Sequence, residues 1–378
     1  VIAAISAMQL AGGMDYLVHV AERFLRRNPR QITLWAPVVT WLMTVLAGTG
    51  HTAFSTLPVI VEVAKEGGVR PSRPLSVAVI ASQMAIVASP LSAAVVFMAS
   101  ALEPRGVSYL TLLGIMIPAT FLAIFPTALL TNRMGRELAD DPVYRERLAK
   151  GLIQPPADRG QWQPRPGAKA SVGLFLAAIV LVMLYATAIS EQVGLLSDPT
   201  LPRNEAIMTI MLATAAAIVL LTRVPADEIL KTQVFRSGMS ASVCVLGVAW
   251  LGTTMISHYI DEIQVLAGDV LTARPWLLAV VLFFAAALLY SQAATAKALI
   301  PAALAIGVSP LTAVAAFPAV SALFILPTYP TLLAAVEMDD TGSTRIGRLV
   351  FDHPFLIPGT LNITLAVVFA YGIGALLI

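Results

Sequence analysis

Residues 31–66 read QITLWAPVVTWLMTVLAGTGHTAFSTLPVIVEVAKE, two apolar runs divided by the polar knot Gly48-Thr49-Gly50-His51-Thr52. A membrane-crossing helix needs about 20 mostly apolar residues, and each run has only about 16. The pair therefore reads as a helical hairpin that returns the chain to the side it came from. The same plan recurs at 275–307, where Ser291-Gln292-Ala293-Ala294-Thr295 separates two apolar runs. Setting Gly48 against Ser291 brings Pro58 opposite Pro301, so the spacing from knot to proline agrees between the two.

The composition names the solvent. Of 378 residues, 58% are hydrophobic and only 12% charged, and the mean hydropathy is +0.82. A soluble domain carries about a quarter charged residues, so lipid is the natural surrounding. A net charge of +2 gives no electrostatic case for nucleic acid. The single cysteine, Cys244, cannot form an intrachain disulfide, and no Cys/His spacing suits zinc or an iron-sulfur cluster. No cofactor is expected. HExxH, GxSxG, P-loop and GxGxxG motifs are absent. Ser291 and Lys297, six residues apart, fall on different helical faces, so the chain does not read as an enzyme. It opens VIAAISAMQL, without an initiator methionine or a basic leader, and reads as a first repeat truncated at its N-terminus.

Outside the hairpins, apolar stretches near 1–20, 74–100, 109–131, 171–190, 205–222, 238–258, 311–336 and 355–378 are candidate spans. Those at 74–100 and 311–336 are interrupted by proline, in Ala88-Ser89-Pro90-Leu91-Ser92 and in Leu326-Pro327-Thr328-Tyr329-Pro330-Thr331. The charged stretch 132–169 has the composition of a solvated linker. It divides the chain into a first repeat (1–131, hairpin 31–66, broken helix 74–100) and a second (170–378, hairpin 275–307, broken helix 311–336). Each presents a hairpin, a proline-broken helix and a closing helix in the same order.

Positive charge orients the layout, because Lys and Arg gather in cytoplasmic loops. Loops 21–30, 65–73, 132–169, 223–236 and 345–348 hold 20 basic residues, whereas the opposite side has only Arg105, Arg203 and Arg274. This parity puts residue 1 and the C-terminus outside. It sends the first hairpin in from the cytoplasm and the second from outside, so the reading is of two inverted repeats in an all-α polytopic membrane protein.

Non-helical backbone at membrane depth is tolerated only where it is buried in protein or faces a watered cavity. Free N–H groups at helix starts attract anions, and carbonyls at helix ends hold cations. A small carboxylate with a coupling cation, sodium or a proton, suits both ends. The hydroxyls of Thr49, Thr52, Ser89, Ser92, Ser291, Thr295, Thr328 and Thr331, with His51 and Gln292, are candidate donors, and two knots from opposite faces suit a ligand with two carboxylates. The competing reading is local: Ser and Thr in membrane helices bond the preceding turn, and glycines allow close packing. Lys297 is the one cation inside an apolar run. Either it neutralises a substrate carboxylate or it snorkels to an interface.

At these residues the chain resembles the anaerobic C4-dicarboxylate transporter family (Dcu type). The resemblance lies in GGMDYLVHVAERFLRRNPR (12–30), VLAGTGHTAFSTLPVI (45–60), RPSRPLSVAVIASQMAIVASPLSAAVV (70–96), KTQVFRSGM (231–239), SQAATAKALIPAALAIGVSP (291–310), ILPTYPTLLAA (325–335) and TGSTRIGRLVFDHPFLIPG (341–359). It implies a bacterial inner-membrane carrier that exchanges fumarate, malate or aspartate for succinate in anaerobic respiration. It also implies the inverted-repeat ion-transporter architecture, in which a two-hairpin domain moves against a scaffold, a homo-oligomer being one assembly it allows. Substrate contacts carry over onto the GTGH knot including Gly50, Ser89-Pro90, Ser291-Gln292 with Ala293 beside them, and the PTYP segment including Tyr329. A second expectation is a membrane sensor that works with a dicarboxylate-responsive kinase through the 132–169 linker. A third keeps transport but changes the cargo to other organic anions coupled to sodium or protons.

Overall fold

A computed structural model of the chain describes residues 2–153, 163–189, 201–232 and 273–378, with isolated positions at 195–196, 234–236, 239, 243, 254 and 258–259. Their regular elements are all helices, and they include no strand. The apolar stretch at 238–258 lies almost wholly outside them. Among the described residues, five segments are long and apolar enough to cross a membrane: Ser72–Arg105, Tyr109–Thr131, Ala168–Ala188, Arg203–Thr222 and Leu356–Leu377.

Residues 1–20 do not form the single span expected of them. Helix α1 (Ile2–Leu10) ends before Gly12, which takes the left-handed conformation at φ +81°, and α2 (Gly13–Leu25) starts afresh. Glycine adopts that conformation without the clash a Cβ brings. The next residue has no room for a Cβ: one added at Gly13 would stand 2.5 Å from Ser171 Oγ. The glycine pair thus lets the chain turn closely against the helix at Ala168–Ala188. Helix α2 buries Ala21 and Leu25 but displays Asp15 and Arg23 among its apolar residues, so it is amphipathic rather than lipid-buried.

The first hairpin is α3 (Ile32–Ala47) and α4 (Ala53–Glu66). Helix α5 (Ser72–Met84) follows, buried along its whole length, and passes through a 3-10 turn (Ala85–Ala88) and extended backbone at Ser89 into α6 (Ala93–Leu102). Helix α7 (Tyr109–Thr131) closes this half, and α8 (Pro142–Ala149), α9 (Ala168–Ala188) and α10 (Arg203–Thr222) come next. The second hairpin is α11 (Leu277–Leu289) and α12 (Gln292–Ala305). Helix α13 (Pro310–Ala316) then runs through a 3-10 turn (Phe317–Ser321) and non-helical residues 322–329 into α14 (Pro330–Met338). Helix α15 (Leu356–Leu377) ends the chain.

Burial among lipid-solvated helices gives little hydrophobic drive, so packing and hydrogen bonds decide the arrangement. Thr40 Oγ1 donates to Ala78 O at 3.0 Å and Trp41 Nε1 to Thr120 Oγ1 at 3.1 Å, which ties α3 to α5 and α7. Such bonds between membrane helices contribute on average about 0.6 kcal/mol each. The packing is matched between the halves. Helix α3 lies on α5 and α5 on α7, while α11 lies on α13 and α13 on α15. Across the halves α4 meets α14, α12 meets α6, and the two 3-10 turns touch. Helices α7 and α15 run antiparallel: Asn362 Nδ2 donates to Thr127 Oγ1 at 3.2 Å, and a Cβ added at Gly374 would stand 3.7 Å from Ile115 Cδ1.

Two apolar clusters result. One joins the hairpins, the broken helices, α7 and α15. The other joins α1, α2, α9 and α10, and reaches the first hairpin through Met43 and Ala47 and the first break through Leu91. Beside them lies a layer of ion pairs among the basic loops. Arg26 meets Glu22 at 2.9 Å and Glu62 at 3.1 Å, Lys65 meets Asp340 at 2.9 Å, Arg70 meets Asp141 at 2.8 Å, and Arg73 meets Glu137 at 3.0 Å. The described part of 132–169 is mostly exposed and is tied to the bundle through Asp141 and Glu137. Arg203 pairs with Glu103 and lies 4.8 Å above the Tyr109 ring, joining two loops counted on the opposite side.

Candidate functional site

At the first hairpin, α3 ends on left-handed Gly48 (φ +68°), whose N–H donates to Thr44 O at 2.8 Å. A Cβ there would stand 3.1 Å from Leu91 Cβ, so the tip is pressed against the first break. Thr52 Oγ1 donates to Thr49 O at 3.2 Å and lies 2.8 Å from Thr44 Oγ1. Residues Gly50–Thr52 form a 3-10 turn; the His51 side chain lies outside the described residues. The break is pinned from three directions. Ser89 Oγ donates to Val45 O at 2.6 Å and accepts from Leu91 N at 3.3 Å, Tyr109 Oη donates to Pro90 O at 2.6 Å, and Ser92 Oγ caps α6 by accepting from Val95 N at 3.1 Å.

At the second hairpin, α11 ends on Tyr290, also left-handed at φ +52°. Ser291 Oγ caps α12 by accepting from Ala294 N at 3.2 Å, and Thr295 Oγ1 donates to Ser291 O at 2.8 Å. Five of the eight hydroxyls proposed as ligand donors, those of Thr52, Ser89, Ser92, Ser291 and Thr295, are thus engaged by backbone groups. Ala293 is buried in the first turn of α12. The Tyr290 ring stacks on Tyr329, with centroids 6.3 Å apart and planes inclined by 6°, and its hydroxyl bonds Thr328. His353 Nε2 donates to Ile325 O at 3.3 Å. The buried hydroxyl of Thr331 has no partner. Lys297, half-buried on α12, places its Nζ 6.0 Å from the centroid of the Phe97 ring on α6, an attractive cation–π geometry. Among the described residues no carboxylate pairs with it.

Both tips bear on the last turn of α5. Gln292 Nε2 donates to Gln83 O at 3.3 Å, and Ser321 Oγ, from the second break, reaches the same carbonyl at 3.4 Å. From the other side, a Cβ added at Gly50 would stand 3.4 Å from Ile86 Cδ1 and 3.6 Å from Ser82 O. Residues 82–86 are therefore the crossing point of both hairpins and both breaks. The caps at Ser92 and Ser291 take one amide each; other first-turn amides of α6 and α12 retain the partial positive charge of helix starts. Gln83 is 1% exposed, and neither its Nε2 nor its Oε1 has a partner. A buried, unpaired polar group costs about 1–3 kcal/mol. Gln83 and Ser321 escaped the sequence reading. The signal for Gln83 was present, since it is the one carboxamide in α5 and polar groups at membrane depth are functional by default. The described residues contain no His/Cys/Asp/Glu group able to hold a metal ion.

An all-helical, multi-pass membrane protein with broken helices meeting at its centre has the architecture of a transporter. Over residues 1–378 the chain matches the family described as anaerobic C4-dicarboxylate membrane transporter, and it belongs to that family. It is 59% identical over 380 residues to the C4-dicarboxylate transporter DcuA of Wolinella succinogenes, covering 100% of this chain and 87% of that protein. It is 56% identical over 379 residues to DcuA of Escherichia coli (strain K12), with the same coverage. The anaerobic C4-dicarboxylate transporter DcuB of Escherichia coli O6:H1 is 36% identical over 388 residues, covering 98% of this chain and 85% of that protein. The family and these relatives are described as transporters.

Proposed function

We propose that this protein exchanges C4-dicarboxylates across the bacterial inner membrane, taking up fumarate, malate or aspartate and releasing succinate. The observation that carries the reading is the convergence of both tips and both breaks on residues 82–86. There, helix starts offer amides to a dianion from two directions, and Lys297 brings a positive charge along α12. The relatives named for C4-dicarboxylate transport support the cargo. Sodium or a proton serves as coupling cation in this reading.

The matched packing of the halves and the antiparallel course of α7 and α15 support inverted repeats, and such repeats place the substrate near the bilayer midplane. The excess of basic residues in loops that are ion-paired to one another supports a cytoplasmic assignment for that side. An elevator-type motion is supported by the two apolar clusters. Within the second cluster, where α1, α2 and α9 face the first hairpin, lies a small cavity lined by Met8, Met14, Met43, Leu46, Thr52 and Phe175, among others. Methionine's unbranched, polarisable side chain repacks easily, which suits a surface that shifts.

Proteoliposomes loaded with succinate are expected to take up labelled fumarate or aspartate, and empty vesicles far less. Equal uptake with and without internal succinate would replace exchange by net transport, and no uptake of any C4-dicarboxylate would sink the reading.

A further inference from the structure

We infer that the Gln83 side chain is a specificity-determining contact that reads the substituent beside the substrate carboxylate, favouring 2-amino and 2-hydroxy C4-dicarboxylates over unsubstituted ones. The inference rests on the dicarboxylate reading above and deepens it.

Gln83 sits in the last turn of α5, a helix with all thirteen residues buried. Its backbone carbonyl is where Gln292 of the second hairpin and Ser321 of the second break meet. Nearly all buried polar side-chain atoms in folded proteins find a partner. Here both ends of one carboxamide lack one, although the neighbouring hydroxyl of Ser82 is satisfied by Val79 O at 2.7 Å. The two orphaned ends are of opposite kind: Nε2 offers two N–H donors and Oε1 accepts.

A carboxylate satisfies only the donor end. An ammonium or hydroxyl on the adjacent carbon satisfies the acceptor end as well. Succinate or fumarate would leave Oε1 buried and unpaired, and sites built to bond a substrate N–H or O–H discriminate strongly against analogues that lack it.

The test is ligand binding to the purified chain in lipid nanodiscs, with L-aspartate, L-malate and succinate as probes, on wild type and Gln83→Leu. Wild type is expected to bind aspartate and malate more tightly than succinate. Gln83→Leu is expected to weaken aspartate about 100-fold and succinate about tenfold, reflecting the loss of two contacts and of one. Its ligand-free thermal unfolding is expected to be unchanged or raised, because an unsatisfied buried group has been removed. Unchanged affinities in a folded Gln83→Leu would make the carboxamide a structural orphan and overturn the inference. An equal loss for both ligands, or a wild type that binds succinate as tightly as aspartate, would overturn it too. Should Gln83→Leu not fold, Gln83→Met keeps the length of the side chain and is read by the same criteria. Failure of wild type to bind any of the three would instead strike the dicarboxylate reading.

Discussion

The two hairpin tips solve one backbone problem with different residues. Each first arm ends on a residue in the left-handed region, Gly48 at φ +68° and Tyr290 at φ +52°. Glycine takes that conformation freely, whereas an L-residue with a Cβ is about 1–2 kcal/mol strained there. At the first tip the space is needed, because Leu91 packs against the bare Cα. At the second tip the strain is offset by what the side chain gains, a stacked Tyr329 and a bond to Thr328. The first tip is thus fitted to its own break by shape, and the second is tethered to its own break by a side chain. The difference teaches that similar hairpins can be fastened with unequal rigidity.

The largest effect should follow from Gly48→Val. A β-branched side chain at a left-handed position, facing Leu91, is expected to destabilise by about 3 kcal/mol. Tyr290→Gly relieves backbone strain while losing an aromatic pair worth about 0.5–1.5 kcal/mol, so its net change should be small. Unfolding by SDS titration in mixed micelles measures both. A Tyr290→Gly loss as large as that of Gly48→Val would break the comparison.

A second contrast concerns the hydroxyls. Ser89→Ala strips Val45 O of its buried donor and Leu91 N of its acceptor, with an expected loss of about 2 kcal/mol. Thr328 is exposed, so no buried group is left unpaired when its hydroxyl is removed, and Thr328→Val should cost less than about 1 kcal/mol. Hydrogen exchange across residues 85–92 and 322–329 locates each effect. Equal losses, or protection lost first at 85–92 in wild type, would reverse the assignment of the rigid break.

The all-helical, membrane-spanning character was legible because lipid forces a visible composition on a chain that crosses it. The knot at 48–52 and the prolines at 90 and 327 were equally plain, since few residues are tolerated where a buried helix must stop. Three things were not legible. The break at Gly12 hides inside an apolar stretch, where a glycine pair reads as close packing until the partner helix is known. The fate of Ser92 and Ser291 could not be told, because a serine before a helix caps it with the same oxygen it would offer a ligand. Gln83 gave a signal, but only the fold shows that Gln292 and Ser321 converge on it from 209 and 238 residues away.

The smallest expected effect tests the second break by acid. His353, in the loop before α15, is buried, and that burial lowers its pKa from the usual 6.5, outweighing the raising effects of the Ile325 carbonyl and Asp352. Its Nδ1 has no partner, so the neutral form with a proton on Nε2 fits the site. The folded state therefore resists a proton that the unfolded chain accepts at about pH 6.5. Stability from this residue is intact above that pH and is lost as pH falls from there through the lowered folded value. Wild type is expected to lose apparent melting temperature between pH 7.5 and 5.5, and His353→Gln, which can still donate to Ile325 O without titrating, should lose less. Because the bond falls on Ile325, acid should loosen residues 322–329 before 85–92. Identical pH profiles for the two proteins would remove His353 from the fastening of the second break and leave that segment held from the Tyr290 side alone.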